Sequence, residues 1–142
     1  MGTLEKFTGD GFQVFYGAPV AFPDDSRRAV MTALAMREEM VLFNQQSGEP
    51  LGLGFGIARS TVLAGNIGSD RRMEYTVIGR AVNLANRICS DALAGEIWTG
   101  ENVFEELKGS FEFGRTEKPE FKGFQEMIDV YDNVLEEHNA IL

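Results

Sequence analysis

The sequence predicts an α+β fold, a mixed and largely antiparallel sheet with helices packed on one face. Three observations predict it. Apolar runs with a strand period and apolar stripes with a helical period follow one another in the order β-β-α-β-β-β-α-β-α-β-β. Short glycine-rich joints separate neighbouring strand runs, which suits hairpins. The 142 residues are one domain's worth and enough for a sizeable core. Residues 1–135 are read as that domain and 136–142 as an acidic tail.

Each element has its own signal. Leu4 to Phe7 and Phe12 to Tyr16 are apolar runs joined by Thr8-Gly9-Asp10-Gly11, a hairpin with Asp10 between two glycines at its tip. On residue type alone Asp10 is a turn former. Gly17 to Phe22 is a loop. Pro23-Asp24-Asp25-Ser26 opens a helix, with acceptors at the cap and acid in the first turn. Ala29, Ala33, Met36, Met40 and Phe43 form its stripe, flanked by Val30, Leu34 and Val41. The helix frays at Asn44-Gln45-Gln46, before the turn Ser47-Gly48-Glu49-Pro50. Leu51 to Ser60 alternates glycine with apolar residues, a strand in close backbone contact with a neighbour. Gly52, Gly54 and Gly56 make a poor phosphate loop, because they alternate by two and no helix follows. Thr61 to Ile67 is another strand, turned by Gly68-Ser69-Asp70-Arg71. After the central stretch come a strand at Gly95 to Thr99, a short helix at Glu101 to Leu107, and two closing strands at Phe111 to Thr116 and Met127 to Val134.

The central stretch is Arg72 to Arg87, RMEYTVIGRAVNLANR. Met73 to Ile78 is rich in strand formers, and Gly79 ends it. Ala81, Leu84, Ala85 and Ile88 then fall at helical spacing and make one buried face. Arg80, Asn83 and Arg87 share the adjoining stripe. Two guanidiniums and a carboxamide therefore run beside the core face from a helix N-terminus, where backbone N–H groups already favour anions. Such a flank suits a phosphorylated ligand. A solvated helix flank is the plainer reading of the same residues.

Composition narrows the function. There are 22 Asp and Glu against 13 Lys and Arg, a net charge of −9. An acidic surface repels phosphate backbones and anionic headgroups, so neither nucleic acid nor direct membrane contact is expected. Any phosphate site must be a local basic pocket. The one cysteine, Cys89, reads as core filler and fits a reducing, cytoplasmic compartment. The one histidine, His138, lies in the polar tail, which removes Ser–His, Cys–His and multi-histidine zinc chemistry. No run is long enough to span a membrane, although the parent protein could still be tethered.

The Arg72 to Arg87 string resembles the signature of class III nucleotidyl (adenylyl or guanylyl) cyclases of bacterial type, in which YTVIG leads into VNLAxR. KFTGDGFQVFYGAP is similar to the family's Lys-x-x-Gly-Asp hairpin, and Phe121-Lys122-Gly123-Phe124 to its closing Lys-Gly turn. The resemblance implies a palm-like, ferredoxin-type core, head-to-tail homodimers, and formation of a 3′,5′-cyclic nucleotide and pyrophosphate from a nucleoside triphosphate. It also implies two divalent ions, Mg²⁺ or Mn²⁺, held by two aspartates.

The implied roles map onto this chain residue by residue. Asp10 is a metal ligand. Arg87 stabilises transition-state charge, and Asn83 orients the ribose. Lys122 binds the terminal phosphates. Lys6, a donor without an acceptor, suits adenine N1, and Thr76 accepts from adenine N6, so ATP is favoured over GTP. The family's domain also begins with a strand and two helices that precede the first residue here, and that strand carries the other metal aspartate. The 142 residues alone are therefore expected to have little or no activity. Arg80, where bacterial relatives often carry aspartate, is expected to face the triphosphate, the partner subunit or solvent. The alternatives are a guanylyl cyclase, or a non-catalytic homology domain kept for nucleotide binding or dimerisation.

Overall fold

In chain order the computed structural model has β1 (Thr3–Thr8), β2 (Gly11–Phe15), α1 (Asp25–Gln46), β3 (Phe55–Ile57), β4 (Leu63–Ser69), β5 (Arg72–Ile78), α2 (Arg80–Asp91), β6 (Ile97–Gly100), α3 (Glu101–Leu107), β7 (Phe111–Phe113), β8 (Thr116–Glu117), β9 (Val130–Tyr131) and β10 (Val134–Glu137). The structure describes residues 3–8, 11–18, 20–69, 72–113, 116–117, 130–131 and 134–137; for 3–8, 66–69, 72–77, 112 and those beyond 113 it describes the backbone.

The sheet is mixed and largely antiparallel, as the sequence predicts. Four strands lie in the order β3-β6-β9-β8, and only the β3–β6 pair among them is parallel, with Phe55 opposite Ile97. The hairpins β1–β2 and β4–β5 and the pair β7–β10 form separate antiparallel units. The strand expected over Leu51 to Ser60 shortens to Phe55–Ile57. Its first residues meet the chain before β6 through single bonds, from Gly95 N–H to the Leu53 carbonyl (2.9 Å) and from Phe55 N–H to the Glu96 carbonyl (3.0 Å). The last strand runs on to Glu137, with Glu137 opposite Phe111.

Strand alternation sets the layers, and it corrects one expectation. Successive side chains of a strand point to opposite faces. On one face of β6, Ile97 packs with Val30 and Ala33 of α1, Val103 and Leu107 of α3, and Phe111. On the other face, Trp98 packs with Ile88 of α2, joined by Leu84 and Ala92. Helices therefore cover both faces of this strand pair, not one. β3 obeys the same alternation. Phe55 and Ile57 join the α1–α3 core, while Gly54 and Gly56 turn toward α2 and the segment after it. A Cβ on Gly56 would stand 2.4 Å from the Ala85 carbonyl oxygen and 2.5 Å from the Cys89 nitrogen. The alternating glycines are thus what lets the α2 backbone lie directly on the strand.

α1 buries a narrower stripe than its sequence suggests. Ser26, Val30 and Ala33 are buried, whereas Val41 and Phe43 are exposed at 53% and 48%. Nor does Asp24 cap the helix: its carboxylate holds Arg28 at 3.0 Å, and this bond keeps its pKa below the ordinary range. Asp25 instead ties the incoming loop by accepting from Phe22 N–H at 2.8 Å.

Candidate functional site

Helix α2 has three faces. Leu84 and Ile88 face the Trp98 layer, and Ala81 and Ile88 are buried. Ala81, Val82, Ala85, Asn86 and Cys89 line a cavity of about 520 Å³ at the outer edge of β3, so Ala85, expected on the buried face, is only partly buried and turns to the cavity instead. The remaining flank carries Arg80, Asn83 and Arg87. Asn83 and Arg80 are exposed and Arg87 is half-buried. At about 100° per residue, Asn83 and Arg87 lie one turn apart and side by side. Arg80 and Arg87 both engage other groups of the chain.

The structure thus brings three predicted polar residues onto one flank, turned away from the cavity. Thr76 sits in β5, the strand that feeds α2, opposite Gly65. Lys6 sits in β1 opposite Gln13, just after a bulge, in a hairpin that is a different sheet from β4–β5. Thr8 pairs with Gly11, so Gly9 and Asp10 are the whole connection of that hairpin. Asp10 and Lys122 themselves lie outside the described residues. Among the described residues no three His, Cys, Asp or Glu gather into a metal-binding group.

The start of α2 is held from a distance. Its cap residue, Gly79, has no side chain to offer, and a Cβ there would meet Val62 Cγ1 at 2.7 Å. The Ala81 N–H instead donates to Ser60 Oγ at 3.0 Å, and Ser60 Oγ donates to the Thr61 carbonyl at 3.3 Å. The neighbouring Arg59 is anchored in turn. Its Nη1 pairs with Glu106 Oε2 of α3 and donates to Ser26 Oγ of α1 at 3.2 Å. Ser26 Oγ donates to the same carboxylate at 2.7 Å, and Asn102 Nδ2 donates to the Arg59 carbonyl at 3.1 Å. Burial raises the Glu106 pKa, but the bonds from Ser26 and Arg59 outweigh it and hold the carboxyl below its ordinary range. None of this cluster stands out in the sequence, because its members are 33 to 80 positions apart in pairs.

Cys89 differs from expectation. The residue is exposed, not core filler, and its Sγ donates to the Gly54 carbonyl at 3.4 Å. Burial of the sulfur pushes the thiol pKa up, against a smaller opposing pull from the Gly56 backbone.

The cavity has a definite shape. It follows the free edge of β3, with Ala29, Ala33 and Met36 of α1 on one side, α2 on the other, and β2 across the gap. Among the described residues β2 pairs only with β1, and β3 only with β6. The cavity is therefore a trough between two strand edges and not the place toward which Asn83 and Arg87 are turned.

The strand–glycine–helix unit with its polar flank is the part of the fold that matches the nucleotidyl cyclase signature seen in the sequence. The family model for the adenylate and guanylate cyclase catalytic domain matches residues 5–132, and the chain belongs to that family. An adenylate cyclase of Mycobacterium tuberculosis is 37% identical over 106 residues, 75% of this chain and 24% of that protein. The crystal structure of the guanylyl cyclase Cya2 superposes with a TM-score of 0.91 at 33% identity, covering 99% of this chain and 73% of that one. The adenylyl cyclase CyaB from P. aeruginosa gives a TM-score of 0.88 at 36% identity, covering 95% and 72%. The match thus spans only 24% of the length of that mycobacterial adenylate cyclase. Among the described residues no helix is long and apolar enough to cross a membrane.

Proposed function

We propose that this chain forms part of an adenylyl cyclase catalytic domain that converts ATP into 3′,5′-cyclic AMP and pyrophosphate. The observation that carries this reading is the α2 flank, where Asn83 and Arg87 lie side by side on the helix that β5 and Thr76 lead into. Arg87 balances charge on the phosphoryl oxygens as the ribose 3′-oxygen attacks the α-phosphorus. Asn83 holds the ribose through its amide. Lys122 grips the β- and γ-phosphates as a point charge. Lys6 and Thr76 read adenine N1 and N6.

Asp10, a hard oxygen donor on the β1–β2 connection, is this chain's candidate ligand for Mg²⁺ or Mn²⁺. Asp10 would hold an ion whose chemistry, when bound, would be activation of the 3′-oxygen and neutralisation of triphosphate charge. A further strand of the parent protein fills the trough between β2 and β3 and brings the other carboxylate. Its support is the trough itself, with a strand edge on each side, and the quarter of the Cya2 chain that this chain leaves uncovered.

The site is shared by two copies. The metal ligand Asp10 comes from one copy and the base-reading Lys6 and Thr76 from the other, and the flank of Asn83 is open to solvent. The β4–β5 hairpin supplies the dimer contact. It is a two-stranded unit whose cross-strand pair Leu63 and Ile78 is exposed at 76% and 54%, and such a ribbon is marginal in water without a neighbour. A rhodopsin-guanylyl cyclase core with converted specificity, 28% identical with a TM-score of 0.83, is described in complex with ATPalphaS.

The test is metal-dependent turnover of ATP and of GTP by the longest natural chain that contains these residues. Cyclic AMP formation that chelation abolishes supports the reading. Turnover of GTP alone makes the protein a guanylyl cyclase, in keeping with its likeness to Cya2. Absence of both products makes it a non-catalytic homology domain.

A further inference from the structure

The polar cluster on the far side of α2 is not used by any step above, yet it ends on the helix that carries Asn83 and Arg87. We infer that Ser60 and Arg59 are positioning residues for the nucleotide-facing flank of α2. The inference rests on the cyclase reading of that flank.

The argument starts from the helix N-terminus. The first backbone N–H groups of a helix have no partner inside it, and a capping side chain normally supplies one. Gly79 supplies none, and it has no room to become a residue that does, because Val62 stands where its Cβ would go. The partner comes from Ser60, 21 positions away, through the 3.0 Å bond to Ala81 N–H. A cap within the chain fixes a helix only relative to its own entry. A cap from another segment fixes the helix relative to that segment.

What matters is then how firmly Ser60 is held. It follows Arg59, whose side chain and backbone are both gripped. The guanidinium is shared between Glu106 and Ser26, and the carbonyl accepts from Asn102. Glu106 and Asn102 belong to α3, and Ser26 is a buried residue of α1. The chain of bonds therefore runs from the α1–α3 core through Arg59 to Ser60, and from Ser60 to the first turn of α2. Two residues further along that turn is Asn83, and Arg87 is one turn beyond. Against β3, α2 meets a glycine face that offers no side chains to key into, and its side-chain contacts on the sheet are those of Leu84 and Ile88 with Trp98 of β6. Cys89, near the end of the helix, bonds the Gly54 carbonyl. The Ser60 bond adds a fixed point at the first turn.

The experiment uses the longest natural chain containing these residues, with Ser60→Ala, Ser60→Thr, Arg59→Ala and Arg87→Ala. Turnover, KM for ATP and hydrogen exchange of the α2 amides are read together. Ser60→Ala and Arg59→Ala are expected to lower kcat by roughly tenfold to a hundredfold, as slight displacement of a charge-stabilising group does, with KM within about twofold. The first-turn amides should exchange faster, and Ser60→Thr, which keeps the hydroxyl, should restore both readouts. Faster exchange with unchanged kcat would leave Ser60 an ordinary structural cap and overturn the inference. Unchanged exchange in Ser60→Ala would overturn it as well. Full turnover in Arg87→Ala, or a parent with no turnover, would sink the cyclase reading of the flank and remove the basis for the inference with it.

Discussion

Replacing Gly56 with alanine tests the layer arrangement and the site together. A Cβ at that position would lie 2.4 Å from the Ala85 carbonyl oxygen, 2.5 Å from the Cys89 nitrogen and 3.0 Å from the Cys89 Cα. All three atoms are backbone of α2, so no side chain can rotate out of the way. Ordinary contact needs roughly 3.4 Å, and α2 must therefore retreat by about 1 Å, enough to forfeit a quarter to a half of each dispersion contact it makes. Those contacts include Ile88 and Leu84 on Trp98. Overpacking of this kind costs about 3 kcal/mol when the backbone has to yield. For a chain of this length that corresponds to a fall in Tm of roughly 10 °C. Thermal unfolding followed by circular dichroism measures it. The helix that moves carries Asn83 and Arg87, so ATP turnover should fall more steeply than the folded fraction. A variant that melts within a degree or two of the parent would refute the close packing of α2 on the glycine face of β3. The same substitution at Gly48, where a Cβ meets nothing within 4 Å, is the control and should leave Tm nearly unchanged.

Four further outcomes follow from the same geometry. Arg87→Ala in the complete domain should lower kcat by about 10²–10³ while leaving KM for ATP nearly unchanged, measured by cyclic AMP formation under saturating metal. Lys6→Glu should suppress ATP turnover and raise GTP turnover, because the new carboxylate accepts from guanine N1–H; steady-state comparison of the two substrates reads it. Leu63→Glu, placed on the exposed β4–β5 ribbon, should shift the protein toward monomer in analytical ultracentrifugation and reduce turnover at low protein concentration. Glu106 has its carboxyl held below the ordinary range, so its stabilising contribution is fully present above the unfolded glutamate pKa of about 4.3 and disappears as pH falls through the lower folded value. The Tm of the parent should therefore exceed that of Glu106→Gln near neutral pH, and the two should converge in acid; a gap that widens in acid would reverse the sign.

The legible parts of this fold are those where the period of the sequence reports a local face. Ala81 and Ile88 are buried as their spacing predicts and Leu84 packs against Ile88 and Trp98, while Ala85 of the same predicted face is only partly buried beside the cavity. The glycines at 52, 54 and 56 announced a close backbone neighbour, and that neighbour is the Ala92–Ala94 segment and α2. What periodicity cannot report is the number of covered faces. Ile97, Trp98, Thr99 and Gly100 are all buried, so β6 gives no alternating signal from which to place helices on either side. The Phe43 end of α1 misled for a related reason: an apolar stripe shows which face can be buried, and it does not supply the neighbour that buries it. The α2 flank was legible because Asn83 and Arg87 share one helix. The Arg59, Ser26 and Glu106 cluster was not, because its parts sit on β3's exit, α1 and α3 and come together only through the fold.

The two sides of α2 that lie off the Trp98 layer bear on the proposed shared site. Its cavity face lies along a strand-wide trough, and its polar flank faces away from that trough. If the trough takes a strand, that strand lies beside β3 and β2, and β2 begins one residue after Asp10. On the proposed reading, Asp10 of one copy and the flank of Asn83 and Arg87 of the other complete each site. An Asp10→Ala chain mixed with an Arg87→Ala chain checks this directly. Each variant alone should be nearly inactive. In a head-to-tail dimer with two shared sites, the mixture should regain about a quarter of the parental turnover, since half the dimers are mixed and each carries one intact site. A mixture that recovers nothing would place Asp10 and Arg87 of each site within a single copy.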